Sequence, residues 1–399
     1  MGRCHPGFGW TNMTRRLRTV AAIVGPTLVL MLITYLPSIT SARPSKPVIQ
    51  TEPLTGGPAT EPTPSAQLSA PRTIMTSFAD VSEPTHVVAN GHWLLLTSQF
   101  TRRLVAVDTA NDRTFDLTKT MNKRIGSTPY SFVAGGLARD TFLLGSNKDV
   151  ALLEISLRNV HQSVEDLPIR AIRRGADWEY SIELNGGHWL STSGFHSRWL
   201  ASGKLVDGAL IHGPSLRESL FPDVTSPMVA MMLHRSSVAV APNKTRIAQA
   251  FRFSCRIQVI SSDGVVERQI AAPVDVKLEY KLYLDDEDNQ EKMSPHARMK
   301  YCYTDVTASN DSIFALFAGK PFKEHKENMS VGDQLHQFTW DGRQRALWKV
   351  ESPAQNVAVS PDGTRLWVLS AGKADLDLIE YRIPHTEERL IGVPVRTGR

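Results

Sequence analysis

Val357-Ala358-Val359-Ser360-Pro361-Asp362-Gly363-Thr364-Arg365-Leu366-Trp367-Val368 reads as one β-hairpin. Two apolar runs rich in β-branched and aromatic residues flank a short polar turn, which is the pattern of paired strands. Pro361 presets the backbone before the turn. Asp362-Gly363 supplies the left-handed conformation that a tight hairpin needs.

Looser copies of the same unit precede it. They are Val87–Leu96 around Asn90-Gly91, Phe132–Leu144 around Gly135-Gly136, and Ser181–Leu190 around Asn185-Gly186-Gly187. Val238–Ala248 turns at Pro242-Asn243, and Val306–Leu316 turns at Asn310-Asp311. The starts step by about 45 to 70 residues, the range of propeller blades. Most copies precede a second hairpin, as in Leu104–Phe115, Arg256–Arg268 and Leu335–Trp348. Two hairpins give four antiparallel strands, the content of one blade. The inner pair is almost continuously apolar and the outer pair alternates, as strands packed on both faces and strands near solvent should. The expectation is an all-β, six-bladed β-propeller over residues 73–399. A seventh blade would fit in the longest step. That step is assigned instead to a polar insertion, Tyr283–Ala297, which is charged and read as having no strand pattern.

The chain of 399 residues carries 45 Lys+Arg against 40 Asp+Glu. Arg3, Arg15, Arg16 and Arg18 lie in residues 1–42, which hold no acid. Without these four, 41 basic residues face 40 acidic ones. A nucleic-acid binder concentrates positive charge in its folded part, so nucleic acid is set aside as a partner.

Residues 19–36 are uncharged and follow Arg15, Arg16 and Arg18, which is the layout of a signal peptide or signal anchor. The cations stay cytoplasmic and the rest crosses the membrane. Met13 is an alternative start. Ser38-Ile39-Thr40-Ser41-Ala42 offers cleavage after Ala42, and an uncut segment would remain as an anchor. The stretch 43–72, with seven prolines among Ser, Thr and Gly, reads as a disordered linker. The chain is thus expected to be exported, periplasmic or extracellular, and held at the cytoplasmic membrane if uncut. Cys4 precedes the apolar segment. Cys255 and Cys302 are an even pair in an oxidising compartment, either bonded to each other or buried as free thiols.

The span Tyr301–Tyr381 resembles the carboxyl-terminal part of TolB-like six-bladed propeller proteins of bacterial envelopes. The matching residues are Ile313-Phe314-Ala315-Leu316-Phe317-Ala318-Gly319-Lys320, Phe338-Thr339-Trp340-Asp341-Gly342, Leu366-Trp367-Val368-Leu369 and Leu378-Ile379-Glu380-Tyr381. They cover about a fifth of the chain. The resemblance implies the fold and an envelope location, and it carries no catalytic residues.

No linear motif specifies catalysis. His92 and His188 share a Gly-His-Trp context and read as one blade position used twice; His196 adds no metal-ligand spacing. Asp285-Asp286-Glu287-Asp288-Asn289 lacks the alternating ligands and central Gly of a Ca²⁺ loop. Ser360-Pro361-Asp362-Gly363 is one residue out of register with a sialidase Asp-box. Trp178, Tyr180, Trp189, Phe195 and Trp199 form either blade core or a sugar-stacking surface. The leading expectation is a non-enzymatic binding or interaction scaffold with an envelope protein or peptide partner and no cofactor. The alternative is a lactonase-type hydrolase that gathers acids from several blades around Ca²⁺ at the central channel. A glycan-binding propeller is a third reading.

Overall fold

The hairpin at Val357–Val368 is present with the expected register: Val357 faces Val368, Ala358 faces Trp367 and Val359 faces Leu366. Ser360 organises its turn, since the Oγ accepts hydrogen bonds from the backbone N–H groups of Thr364 and Arg365. Asp362 accepts from the N–H and hydroxyl of Thr364. Gly363 sits at φ 74°, where a Cβ would be strained. The Asp362 carboxylate is therefore consumed inside its own turn.

The computed structural model describes residues 49–52, 66–80, 85–98, 101–125, 130–146, 151–173, 180–192, 201–215, 230, 233–272, 278–285, 291–296, 299–321, 331–372 and 375–384. Cys4 and the apolar segment 19–36 lie outside these residues. Among the described residues no helix is long and apolar enough to cross a membrane.

Three strands come first: β1 (Ile49–Glu52), β2 (Ala66–Gln67) and β3 (Ser69–Asp80). Next are β4 (Thr85–Asn90), β5 (Trp93–Ser98), β6 (Leu104–Asp108), β7 (Arg113–Asp116) and helix α1 (Thr118–Ile125). Then follow β8 (Tyr130–Gly135), β9 (Thr141–Ser146), β10 (Ala151–Ser156) and β11 (Ile169–Arg173). β12 (Tyr180–Glu183), β13 (Trp189–Thr192), β14 (Ala201–Val206) and β15 (Ala209–Ser215) continue the chain. After them come β16 (Ser236–Val240), β17 (Arg246–Phe251), β18 (Arg256–Ser261) and β19 (Val266–Ala271). A hairpin of β20 (Leu278–Leu284) and β21 (Glu291–Pro295) precedes β22 (Tyr303–Ala308), β23 (Ser312–Phe317) and β24 (Gly332–Thr339). The last three are β25 (Gln344–Val359), β26 (Arg365–Ala371) and β27 (Asp375–Arg382).

Antiparallel meanders dominate the pairing and pack face to face on their neighbours, and the fold is a β-propeller. Counted as continuous hydrogen-bonded sheets, the described residues form four of four or more strands, where six separate blades were expected. Two physical joins account for the difference. A parallel bridge between Arg173 and Ala209 fuses β8–β11 to β12–β15. The 16-residue β25 runs unbroken, pairing with β24 through its first half and β26 through its second. The strand β3 pairs with β27, so the amino-terminal part of the chain completes the last sheet.

Two further differences concern segments read as irregular. Within 43–72, β1 pairs with β20, β2 pairs with β25, and β3 begins at Ser69. The region assigned to a polar insertion without strand pattern is instead the hairpin β20–β21. Leu278, Tyr280, Leu282 and Leu284 alternate with Glu279, Lys281 and Tyr283, a period-two pattern that fits a half-buried strand.

The core lies between neighbouring sheets. Trp93 packs with Phe142 and Leu144, Trp189 with Ile247 and Ile260, Val259 with Phe338, and Trp367 with Leu94. Trp93, Trp189 and Trp367 are among the largest fully buried side chains, each on the second strand of its meander. Such aromatics contribute large buried areas and fix the spacing of adjacent sheets.

Candidate functional site at the rim of the inner strands

First strands of successive meanders pack together: β16 meets β22, β22 meets β25, β25 meets β4, β4 meets β8, and β8 meets β12. These inner strands begin at one rim of the fold. Four of them carry a polar pair at that rim: Thr85 and His86 on β4, Ser236 and Ser237 on β16, Thr304 and Asp305 on β22, and Gln355 and Asn356 on β25. Residues farther along are apolar, including Val87, Ala239, Val306 and Val357. This polar belt lies at one end of the inner strands.

Register shifts mark the same level on three of these strands. β8 shifts between Tyr130 and Phe132, β22 between Tyr303 and Asp305, and β25 between Ala354 and Asn356. A bulge inserts an extra residue and re-aims the side chains beside it, and bulges concentrate at rims and sites.

Asp305 is the carboxylate of this belt. Its Oδ2 accepts the Val357 N–H at 2.9 Å and the Asn356 amide at 3.3 Å. Asn356 Oδ1 in turn accepts the Thr85 hydroxyl at 2.8 Å, and the same hydroxyl contacts Gln355 Oε1. Thr307 repeats the device one level deeper, accepting the Val359 N–H at 3.2 Å. Side chains of β22 thus serve the free backbone edge of β25. Burial pushes Asp305 up to about 6, against the lowering effect of hydrogen bonds from Val357, Val306 and Asn356 and the charge of Arg252.

The other end of the inner strands holds a second group. Lys244, only 6% exposed, donates to the Gly135 carbonyl at 2.9 Å. Burial lowers its pKa to about 8. Glu183 is raised by burial and then by Glu154, with Arg170 and Lys244 opposing. Asn185 Nδ2 donates to the Asn243 carbonyl at 2.6 Å and ties β12's end to the β16–β17 turn. This end is a set of interlocked turns.

The residues singled out by sequence fall as follows. Cys255 and Cys302 are joined in a disulfide, with Cα atoms 4.8 Å apart. His92 lies 3.8 Å from Asp108, which His161 approaches more closely, at 2.8 Å; His188 is exposed on its turn. His196 lies outside the described residues. Trp189 is buried in the core, only the backbone of Tyr180 is described, and Trp178, Phe195 and Trp199 lie outside the described residues. Asp285 pairs with Lys292 at 2.6 Å, and 286–289 lie outside the described residues. Among the described residues no three His, Cys, Asp or Glu side chains group as metal ligands. The belt of Thr85, Asp305, Gln355 and Asn356 was missed, because Thr85 lies 220 to 271 residues before the others and Asp305 lies 50 and 51 residues before Gln355 and Asn356. The polar start of each inner run was the available signal.

No family model and no curated protein matches this chain. Among solved structures it is similar to the β-propeller domain of Myceliophteria thermophila Cps50 (Swd1), at 10% identity over 79% of this chain and all of that one, TM-score 0.42. A chain of the mitotic checkpoint complex gives 11% identity, 87% and 100% coverage and TM-score 0.45. A streptogramin B lyase gives 9% identity, 78% and 98% coverage and TM-score 0.44.

Proposed function

We propose that this chain is an exported, non-enzymatic propeller of six blades that binds a protein or peptide partner in the bacterial cell envelope, using the rim around Asp305. The strand register supports the count. β4–β7, β8–β11, β12–β15, β16–β19, β22 to the first half of β25, and the second half of β25 through β27 and β3 are each a four-stranded antiparallel meander. The apolar segment 19–36, its flanking arginines, the Pro-rich stretch and the Cys255–Cys302 bond support export. The resemblance of Tyr301–Tyr381 to TolB-like proteins fits the same reading.

One observation carries the choice of binding over catalysis. The Asp305 carboxylate already serves the Val357 N–H and the Asn356 amide, so it is fixed as a positioning acceptor. A rim of mutually locked donors and acceptors suits recognition by a pre-organised surface. The hairpin β20–β21 adds exposed Tyr283 (48%) and Leu284 (54%), apolar area of the kind that partners cover.

The test is purification of the tagged full chain from envelope fractions, with quantitation of a stably associated envelope protein. A stoichiometric partner supports the reading. A clean monomer with robust hydrolytic turnover overturns it. The lactonase-type alternative leans on the near-neutral pKa of Asp305. Absence of stoichiometric Ca²⁺ or transition metal in the purified protein removes that alternative.

A further inference from the structure

Beside the Asp305 belt stand two arginines that no sequence motif singles out. Arg235 precedes β16 and Arg252 follows β17. Ser236 and Phe251 are register partners, and the Arg252 N–H donates to the Arg235 carbonyl at 2.9 Å. The two residues are therefore the next cross-strand pair of the ladder. Directly opposed side chains share one face, and like charges so placed oppose folding.

Neither guanidinium has an ion pair or side-chain hydrogen bond among the described residues. Arg235 is exposed, whereas Arg252 is partly covered. Arg252 is lowered to about 10, first by burial and then by the charge of Arg235. The carboxylate that acts on it, Asp305, is already committed to Val357 and Asn356. A desolvated cation without its own counter-charge is costly, and natural proteins rarely keep one without a partner.

The surroundings fix the backbone of the pair. The Cys302 N–H donates to the Arg252 carbonyl at 2.8 Å, and Cys302 is bonded to Cys255, three residues after Arg252. Three backbone rows, at 235, 252 and 302, are thereby fixed side by side. Tyr301 lies against Phe253, with ring centroids 5.2 Å apart and planes tilted by 42°, and its phenol lies in the field of both arginines. Phe253 and Tyr301 also pack with Tyr280 and Met293, so the β20–β21 hairpin forms a wall of the same corner.

We propose that Arg235 and Arg252, flanked by Tyr301 and clamped by the Cys255–Cys302 bond, form a binding site for an oxyanion group, a carboxylate or a phosphate, carried by the ligand. Guanidinium groups present planar forks that match these oxyanions bidentately. An anion between them neutralises the opposed charges and completes the polar belt that begins at Thr85. The inference deepens the binding reading above and rests on that rim being the ligand face.

The experiment is calorimetric titration of the full-length chain in neutral detergent with three probes. These are inorganic phosphate, acetyl-diglycine with a free carboxylate, and the same peptide as its amide. Binding of phosphate, of the free carboxylate or of both, with the amide inert, is expected, and the arm that binds identifies the source. Arg235→Gln, at an exposed position where folding is undisturbed, should weaken it on the order of tenfold. Arg252→Gln should weaken it further, with Arg252→Lys in between, since Lys keeps the charge and loses the fork. No anion binding by the wild type, or wild-type affinity in a folded Arg235→Gln protein, overturns the proposal. If no envelope partner co-purifies, the scaffold reading fails while this binding is still read directly.

Discussion

Asp305 Oδ2 accepts the Val357 backbone N–H across 2.9 Å, linking the inner strands of two successive meanders by a side chain instead of a ladder bond. The Val357 N–H would otherwise face the interior without a partner, which is expensive for a backbone donor. The same carboxylate is buried enough to be raised to about 6. These facts predict a pH signature.

An acid whose folded pKa lies above its unfolded value of about 3.9 binds protons more tightly when folded. Its contribution is fully present below about pH 4 and is lost as pH rises through about 6. Asp305→Asn keeps an acceptor oxygen for Val357 and removes the charge. Chemical denaturation at pH 4, 5, 6 and 7 should show the variant gaining stability relative to wild type across that window. A gain on the order of 1 kcal/mol is expected after allowance for partial exposure.

His336 should act in the opposite sense. Burial lowers it to about 3, its Nδ1 lies 3.2 Å from the Tyr303 hydroxyl, and its ring stacks on Phe317 at 4.6 Å. The folded state keeps it neutral, so its contribution is present above the unfolded value near 6.5 and fades as pH falls toward 3. In His336→Gln the acid-side slope should flatten between pH 6.5 and 4, measured by the same denaturation series.

Lys244 supplies an alkaline test. With its pKa lowered to about 8 by burial, the folded state binds fewer protons than the unfolded state from pH 8 to about 10.4. Stability should rise over that interval in the wild type. In Lys244→Met the rise should disappear, while the Gly135 carbonyl loses its donor.

The Cys255–Cys302 bond closes a separation of 47 residues. Chain-entropy reasoning assigns such a loop about 4 kcal/mol. Reduction, or the double change to Ser, should lower the denaturation midpoint accordingly. It should also weaken oxyanion binding, because Cys302 holds the Arg252 backbone.

The sequence carried the repeat because hairpin chemistry is local. Each of the six first hairpins pairs as its turn residues implied, from Val87–Leu96 in β4–β5 to Val357–Val368 in β25–β26. The joins between meanders were invisible, since a single Arg173–Ala209 bridge leaves no periodic trace. The hairpin β20–β21 was missed for another reason. The acidic run at Asp285 drew the boundary at Tyr283, separating the last two residues of the alternation from Leu278 to Leu284. The site was hardest to read. Asp305 acquires its character from Val357, 52 positions away, and Arg235 and Arg252 meet only once β16 and β17 pair.

The most direct test of the binding account is in-cell photocrosslinking from two surface positions on the full chain. A photoreactive residue replaces Tyr283, on the rim hairpin, or Asp263, in the β18–β19 turn at the other end. The account predicts one discrete envelope-protein adduct from position 283 and none from position 263. Adducts of equal yield from both positions, or from position 263 alone, would contradict it.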